Sequence, residues 1–200
     1  MSKSCFLILD IQNDLCHDDG VYARNGLAAT NVKEIIPNLI EIMHFFHKQK
    51  IPIIATKLSI LVNQKQEPIG LGNLGKLRPF LEKEGFREGT WGHDLYDTLP
   101  KVDFSIRKWN LSPFYQTELD HYLKALDCEQ LFLAGFTTNG VVETTAREAV
   151  GRNISVTTFT DCVASYSETL HQASLTNLGA FGQITSSKEW IENYAEKLAT

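Results

Sequence analysis

Hydrophobic residues along this chain fall into two patterns, short continuous apolar runs and longer runs with helical spacing. Continuous apolar runs of this length suit strands of a parallel sheet that is covered on both faces. The predicted strands are Cys5–Asp10, Ile51–Thr56, Asp103–Arg107, a fourth that opens at Leu131 and breaks at Gly135, Ile154–Thr160 and Phe181–Thr185. The predicted helices are Asn31–Gln49, a short one near Leu77–Glu84, Thr117–Leu126, one that closes at Ala149, Glu168–Leu178 and Lys188–Leu198. Because strands and helices alternate almost throughout, we expect an α/β fold with a parallel, doubly wound sheet.

With the strand order 3-2-1-4-5-6, the ends of strands 1 and 4 flank the topological switch point, where α/β proteins bind ligands. Asp10 closes strand 1, Lys108 follows strand 3, and Asn139 to Val141 follow strand 4. We expect these residues to converge on one crevice, where an acid and an amine can support each other and helix amides can hold negative charge. A strand-end Asp can instead be a turn residue, and a Lys can be solvated.

Periodicity weakens between Lys57 and Pro100, where glycines punctuate two loops. An irregular stretch of this length in a compact domain usually forms a lid, a pocket wall or a subunit contact. Pro37 lies inside the first long helical pattern, so we expect either a kink or a later start of that helix.

Length and charge restrict the function classes. The 200 residues suit one domain, 1–200, and the net charge of −5 without a basic cluster argues against nucleic acid and anionic membranes as partners. The apolar runs are too short for a spanning helix, and the first residues lack a signal-peptide pattern, so we expect a cytoplasmic protein. Four scattered cysteines show no metal-ligand spacing.

Three segments together resemble the isochorismatase-like hydrolase superfamily. They run from Leu7 to Asp14, from Ile106 to Thr117, and from Gly135 to Ala149, in the family's order and spacing. The resemblance implies a three-layer α/β/α sandwich with a six-stranded, mainly parallel sheet. It also implies a catalytic acid at Asp10, a catalytic amine at Lys108 and a cis peptide bond between Phe136 and Thr137. The residues expected to contact a small-molecule substrate are Gln12, Trp109, Phe136, Thr137, Asn139 and Gly140.

Val141 is the main departure from the family, because it occupies the position of the nucleophilic cysteine. A valine cannot form an acyl-enzyme, so covalent amide hydrolysis is not available at this position. Isochorismatases in the family hydrolyse a vinyl ether without that cysteine, the acid protonating the substrate. We therefore expect a cysteine-free hydrolase acting on an enol ether or another small carboxylated substrate, with Asp10 as general acid/base beside Lys108.

Three alternatives remain open from the sequence. The chain can be an inactive relative that binds a ligand or partner, or a Cys-to-Val variant of an amidase. A nucleophile can also be relocated, and the hydroxyl and thiol candidates are Thr137, Thr138, Thr144 and Cys162.

No metal or other cofactor is expected. Nicotinamidase relatives bind a metal through residues whose matching positions are Leu58 and Ile60, which offer no ligand. His93 lies in a pocket-forming loop, where it can contact a substrate or have a surface or capping role. The resemblance further implies a homo-oligomer, a dimer or tetramer, with the Lys57–Pro100 segment and the helix near Ser112–Leu126 as the expected interface.

Overall fold

A computed structural model describes residues 3–28 and 31–199 of the chain. The strands are β1 Ser4–Leu9, β2 Ile53–Leu58, β3 Phe104–Lys108, β4 Gln130–Phe136, β5 Ser155–Ala164 and β6 Gln183–Thr185. The α-helices are α1 Asn13–Cys16, α2 Val21–Arg24, α3 Val32–Gln49, α4 Gly72–Leu77, α5 Leu119–Ala125, α6 Glu143–Val150, α7 Glu168–Leu178 and α8 Ser187–Ala199. Two 3₁₀ turns, Pro79–Glu82 and Trp91–His93, and a π-helical turn, Thr138–Val142, complete the regular structure. None of the helices in these ranges has the length and apolarity that a bilayer span requires.

The six strands form one sheet in the order β3-β2-β1-β4-β5-β6, and each neighbouring pair is parallel. This order confirms the predicted doubly wound topology. Since the chain leaves β1 toward β2 on one side and returns to β4 on the other, the switch point lies at the carboxyl ends of β1 and β4.

Helices cover both faces of the sheet. Along β1, Phe6 and Ile8 belong to a core cluster that contains the apolar face of α3 and Trp190 of α8. Leu7 and Leu9 point to the opposite face and belong to a second cluster with residues of α5 and α6. This alternation is the period-two pattern of a strand buried on both sides, and it confirms the predicted three layers.

The segment between β2 and β3 differs from its prediction. The helix expected near Leu77–Glu84 is instead α4, which ends at Leu77, followed by the 3₁₀ turn that begins at Pro79. Proline disfavours the α conformation in the residue before it, and Arg78 has φ −137° and ψ 69°, so the helix stops there. By contrast, α3 continues from Val32 through Pro37.

Two strands end later in the structure than the sequence predicted. β2 ends two residues later than predicted, at Leu58, which carries the strand past the polar Lys57. β5 extends to Ala164 because Asp161, which ended the apolar run, accepts hydrogen bonds from the Ser187 amide and hydroxyl at 2.7 and 2.8 Å. The helices α1 and α2 are each only four residues long, too short for a periodic signal.

Candidate functional site

The candidate site lies at the carboxyl edge of the sheet, where β1, β2 and β3 end side by side. Asp10 follows β1 with its backbone in the left-handed region, at φ 56°, and Lys108 is the last residue of β3. The parallel register pairs Leu9 with Thr56 and Leu58 with Lys108. Although about a hundred residues separate them in the chain, the side chains of Asp10 and Lys108 therefore meet.

Asp10 and Lys108 form a buried ion pair. Lys108 Nζ lies 2.6 Å from Asp10 Oδ2, and the two side chains are only 2% and 6% exposed for Lys108 and Asp10. The ammonium also donates to the backbone oxygen of Asn110 at 2.9 Å, and the Thr56 hydroxyl donates to Asp10 Oδ1 at 2.7 Å. Both carboxylate oxygens thus have a donor, which offsets the cost of removing the charges from water.

Thr56 is a site residue that the sequence analysis did not single out. It is fully buried in β2, and its hydroxyl contacts the acid directly. The available signal was its place, since it is the hydroxyl residue at the end of an apolar run that pairs with β1.

Gln12 holds two loops together. Its amide nitrogen donates to the backbone oxygens of Leu58 and His93 at 3.0 and 2.9 Å, and its amide oxygen accepts from the Leu58 amide at 2.7 Å. Both amide protons are used within the protein, so Gln12 positions the chain around the site. Its contact with a substrate stays a prediction.

The next two residues, Asn13 and Asp14, also organise the loop before β3. Asn13 donates to the carboxylate of Asp97 at 2.9 Å. The Asp14 carboxylate accepts from the Val21 amide at 3.2 Å and from the Phe86 amide at 2.6 Å. The stretch from Asp10 to Asp14 therefore supplies one charged group to the site and uses its other polar side chains as supports.

The turn after β4 has the predicted special backbone. Gly135 has φ 137°, and a Cβ at this position would lie 2.3 Å from the backbone oxygen of Leu9, so that only glycine fits against β1. The Phe136–Thr137 peptide bond is cis, as the resemblance implied. The π-helical turn Thr138–Val142 follows and leads into α6.

The predicted substrate contacts on this turn differ in accessibility. Asn139 is exposed and its side-chain oxygen accepts a hydrogen bond from the Ser165 hydroxyl. Thr137 and Gly140 are half-buried, and the Thr137 backbone oxygen accepts from the Gly140 amide at 3.2 Å. Phe136 is buried, with its ring against that of Tyr166.

Val141 is packed as a core residue. It is 2% exposed and belongs to the same apolar cluster as Leu133 and Ala146. Its backbone oxygen accepts from the Thr145 hydroxyl at 2.6 Å. An alkyl group therefore fills the position at which the family resemblance places the nucleophile.

Two of the four alternative nucleophiles, Thr138 and Cys162, are fully buried. Thr138 is fully buried, with its hydroxyl 2.8 Å from Nδ1 of His171. Cys162 is fully buried, and burial raises the pKa of its thiol well above the ordinary value, which keeps it protonated. Thr144 and Thr137 are half-buried.

His93 is buried instead of lying on the surface. It is 1% exposed, and its Nε2 lies 2.7 Å from the Ser59 hydroxyl oxygen. Nδ1 has no hydrogen-bond partner among the residues that the structure describes. Burial, assisted by the charge of Lys57, lowers the pKa of the imidazole below its ordinary value, so the ring is neutral at pH 7.

Trp109 is half-buried and lines a cavity of about 180 Å³, whose wall includes Asn110, the residue that accepts a hydrogen bond from Lys108. Phe114 and Trp91, the other aromatic residues considered for a pocket wall, have different surroundings. Phe114 is buried beneath the guanidinium of Arg152, and Trp91 is 42% exposed.

Leu58 and Ile60, the positions at which the resemblance implies the metal ligands of nicotinamidase relatives, carry aliphatic side chains. Within residues 3–28 and 31–199, no group of three or more His, Cys, Asp or Glu side chains is arranged to hold a metal ion. The absence of a metal cofactor remains a prediction.

Comparisons with known proteins agree on the family. A model of the isochorismatase domain matches residues 4–189. The chain is 26% identical over 199 residues to a protein from Arabidopsis thaliana named a probable inactive nicotinamidase, covering 96% of this chain and 97% of that protein. It is 25% identical over 206 residues to a ureidoacrylate amidohydrolase of Acinetobacter baylyi, covering 96% and 84%.

Solved structures show the same fold. An isochorismatase-like hydrolase from Alkaliphilus metalliredigens superposes with a TM-score of 0.81 at 25% identity, covering 96% of this chain and all of that one. A cysteine hydrolase from Pseudomonas syringae has a TM-score of 0.83 at 20% identity, covering 95% and 91%. The domain match, together with the parallel six-stranded sheet and the site at its switch point, shows that the chain belongs to the isochorismatase family.

Proposed function

We propose that this protein is a hydrolase that works without a nucleophilic cysteine, with Asp10 as general acid/base and Lys108 as its electrostatic partner. The 2.6 Å contact between Lys108 Nζ and Asp10 Oδ2 carries the proposal, because it brings the acid and the amine together at the switch point. Val141 has no nucleophilic group and cannot form an acyl-enzyme, so we favour acid-catalysed hydrolysis, in which the acid donates a proton and water attacks the substrate.

Hydrolysis of an enol ether of a small carboxylated substrate fits these groups. The proton moves from Lys108 Nζ to Asp10 Oδ2, and Asp10 delivers it to the terminal carbon of the enol ether. The resulting oxocarbenium ion adds water, and the hemiketal separates into a ketone and an alcohol while the water's remaining proton returns to the pair. The Thr56 hydroxyl keeps Asp10 Oδ1 fixed, so Oδ2 remains the oxygen that transfers the proton.

The test measures turnover of isochorismate by the unaltered protein, by Asp10→Asn and by Lys108→Ala. A general acid/base contributes about 10²–10⁴-fold to the rate, so Asp10→Asn should lose at least that factor. Activity of the unaltered protein that survives Asp10→Asn, or no turnover of any enol ether, contradicts the proposal.

A second candidate function is ligand or partner binding by an inactive relative. Two observations favour it: the side chain of Val141 is buried at the nucleophile position, and one relative is named a probable inactive nicotinamidase. The discriminating variant is Val141→Cys, assayed with nicotinamide and other small amides. If it gains amidase activity while the parent hydrolyses neither amides nor enol ethers, the chain is an inactivated cysteine hydrolase.

We also propose that the protein is a homo-oligomer. Large apolar side chains are exposed on both segments predicted to form the interface, namely Leu61, Ile69 and Leu77 on the first and Tyr115 on the second, at 43%, 50%, 60% and 54%. Light scattering should give at least twice the 22.5 kDa mass of one chain, and Leu77→Glu should reduce it. A monomer at all concentrations contradicts the proposal. The cytoplasmic location expected from the sequence is a proposal of the same kind, testable by cell fractionation.

A further inference from the structure

The cavity that Trp109 lines is bounded by neutral residues, most of them apolar. Besides Trp109, aliphatic residues of the β2 end and of the α4 region surround it, among them Ile60, Leu71 and Leu74. Its polar side chains are those of Ser59 and Asn110, and no lining residue carries a formal charge. Transfer of a charged group into such surroundings is costly, so this cavity, which we call the Trp109 cavity, suits an uncharged group.

Two hydrogen bonds connect the wall of the Trp109 cavity to Lys108. Asn110, in its wall, accepts the hydrogen bond from Lys108 Nζ at 2.9 Å. The Ser59 amide, also in the wall, donates to the Lys108 backbone oxygen at 2.7 Å. Asp10 and Lys108 do not themselves line the cavity, but these two hydrogen bonds fix part of its wall beside the ion pair.

Ser59 gives the cavity one fixed hydrogen-bonding group. Its hydroxyl oxygen lies 2.7 Å from Nε2 of His93 and 3.3 Å from the backbone oxygen of Lys57. When Nε2 carries the proton, it donates to the hydroxyl, and the hydroxyl donates to Lys57. A second lone pair of the hydroxyl oxygen then remains for a ligand. His93, buried and neutral, fixes the orientation of this hydroxyl without adding a charge.

We propose that the Trp109 cavity is a binding subsite for an uncharged, ring-sized group that carries one hydroxyl or amide, hydrogen-bonded by Ser59 and with His93 as the positioning residue. The volume supports this size, since an apolar cavity of about 150 Å³ is enough to hold benzene and the Trp109 cavity measures about 180 Å³. The inference rests on the proposed function in assigning this group to the substrate, so that the substrate combines an uncharged ring portion with the reacting enol ether.

The test uses benzyl alcohol and toluene, which share a ring and differ in the hydroxyl group. Their dissociation constants are measured by titration of amide and indole N–H signals in NMR spectra, with the Trp109 indole as the local reporter. For the unaltered protein we expect saturable shifts of the Trp109 signal with both probes, in the range of about 1–20 mM. Ser59→Ala should weaken benzyl alcohol about five- to tenfold, the effect of one hydrogen bond, and toluene less than about twofold.

Two variants serve as controls. Thr138→Val removes a buried hydroxyl that contacts a different imidazole, that of His171, and should leave both affinities unchanged. Leu74→Phe fills part of the cavity and should abolish the binding of both probes. The inference is overturned if the unaltered protein shows no saturable shift at Trp109, if Ser59→Ala weakens both probes equally or neither, or if binding persists in Leu74→Phe.

Failure of this inference is separable from failure of the proposed function. Asp10→Asn should bind benzyl alcohol as the unaltered protein does, because the acid is not part of the cavity wall. Probe binding without turnover of isochorismate or any other enol ether would leave the subsite in place and remove the catalytic proposal. Turnover without probe binding would do the opposite.

Discussion

Replacing Lys108 with methionine should destabilise the protein strongly, because it leaves the Asp10 carboxylate buried without its cation. Methionine keeps the unbranched shape of the lysine stem, so the packing around the position changes little. In the unaltered protein, the ammonium lies 2.6 Å from Asp10 Oδ2, and only 6% of the acid's side chain is exposed. The Thr56 hydroxyl stays as a donor to the other carboxylate oxygen, at 2.7 Å, but it brings no positive charge.

The size of the effect follows from the burial of the pair. Removing one member of a buried ion pair costs about 3–5 kcal/mol of unfolding free energy. For a chain of 200 residues, each kcal/mol lowers Tm by about 2–4 °C, so Lys108→Met should melt about 6–20 °C lower. The double variant Asp10→Asn/Lys108→Met removes both charges and should recover most of that loss, because replacing a whole buried pair by neutral groups is often close to neutral.

The assay is urea unfolding at pH 7, followed by tryptophan fluorescence. It compares the unaltered protein, Asp10→Asn, Lys108→Met and the double variant, which together form a double-mutant cycle. Equal m-values show that the variants unfold over the same exposed surface. The unfolding free energies then give the interaction energy between Asp10 and Lys108. A loss below about 1 kcal/mol in Lys108→Met, or a double variant that equals the sum of the single ones, would refute the reasoning, because such values are typical of exposed pairs.

Three further changes test other parts of the structure. Burial lowers the pKa of His93 in the folded protein, so just below the ordinary value of about 6.5 the unfolded chain binds more protons than the folded one, and stability falls as the pH drops through that range. Between pH 7.5 and 5, Tm should therefore change less in His93→Gln than in the unaltered protein. Equal changes of Tm in the two proteins would exclude His93 as the cause. Gly92→Ala puts a Cβ 2.2 Å from the Asp14 carboxylate and should cost about 1–3 kcal/mol by urea unfolding, whereas Gly151→Ala, with its nearest contact at 3.5 Å, should cost less than about 0.5; similar losses in both would contradict the packing argument. Gly135→Ala puts its Cβ 2.3 Å from a backbone oxygen of β1 and should lower Tm more than Gly92→Ala, which calorimetry can rank, because backbone cannot yield as a side chain can.

The features that sequence predicted well are those that local patterns determine. Continuous apolar runs interrupted by helical periodicity determine a parallel sheet, and the handedness and crossover rules leave few strand orders. Asp10 and Lys108 could be placed together because each ends a strand, and all strands of a parallel sheet end at one edge. The cis peptide at Phe136–Thr137 came from the family resemblance, since nothing in its local sequence requires it.

The features that sequence missed depend on contacts between distant residues. His93 is in a polar loop, yet its side chain is buried, with the imidazole hydrogen-bonded to the hydroxyl of Ser59, 34 residues away. Gln12 was predicted to contact a substrate, and its local sequence does not show that its side-chain amide donates to backbone oxygens 46 and 81 residues away. Thr56 is a site residue because its hydroxyl donates to the carboxylate of Asp10, which directly follows the neighbouring strand. Local sequence patterns cannot predict such contacts, because the partners lie far apart in the chain.

Measuring both unfolding and turnover separates the structural role of the ion pair between Asp10 and Lys108 from its chemical role. A buried pair of charges adds little to stability compared with neutral residues of the same shape, so folding alone gives no reason for Asp10 and Lys108 to be paired here. If Asp10→Asn/Lys108→Met is as stable as the unaltered protein but has no hydrolase activity, the pair serves catalysis or ligand binding. If it is unstable, the pair supports the loops that Gln12 and Asp14 hold around the site, and the intact ion pair would no longer be an argument for catalysis. Unfolding and turnover must therefore be measured on the same double variant.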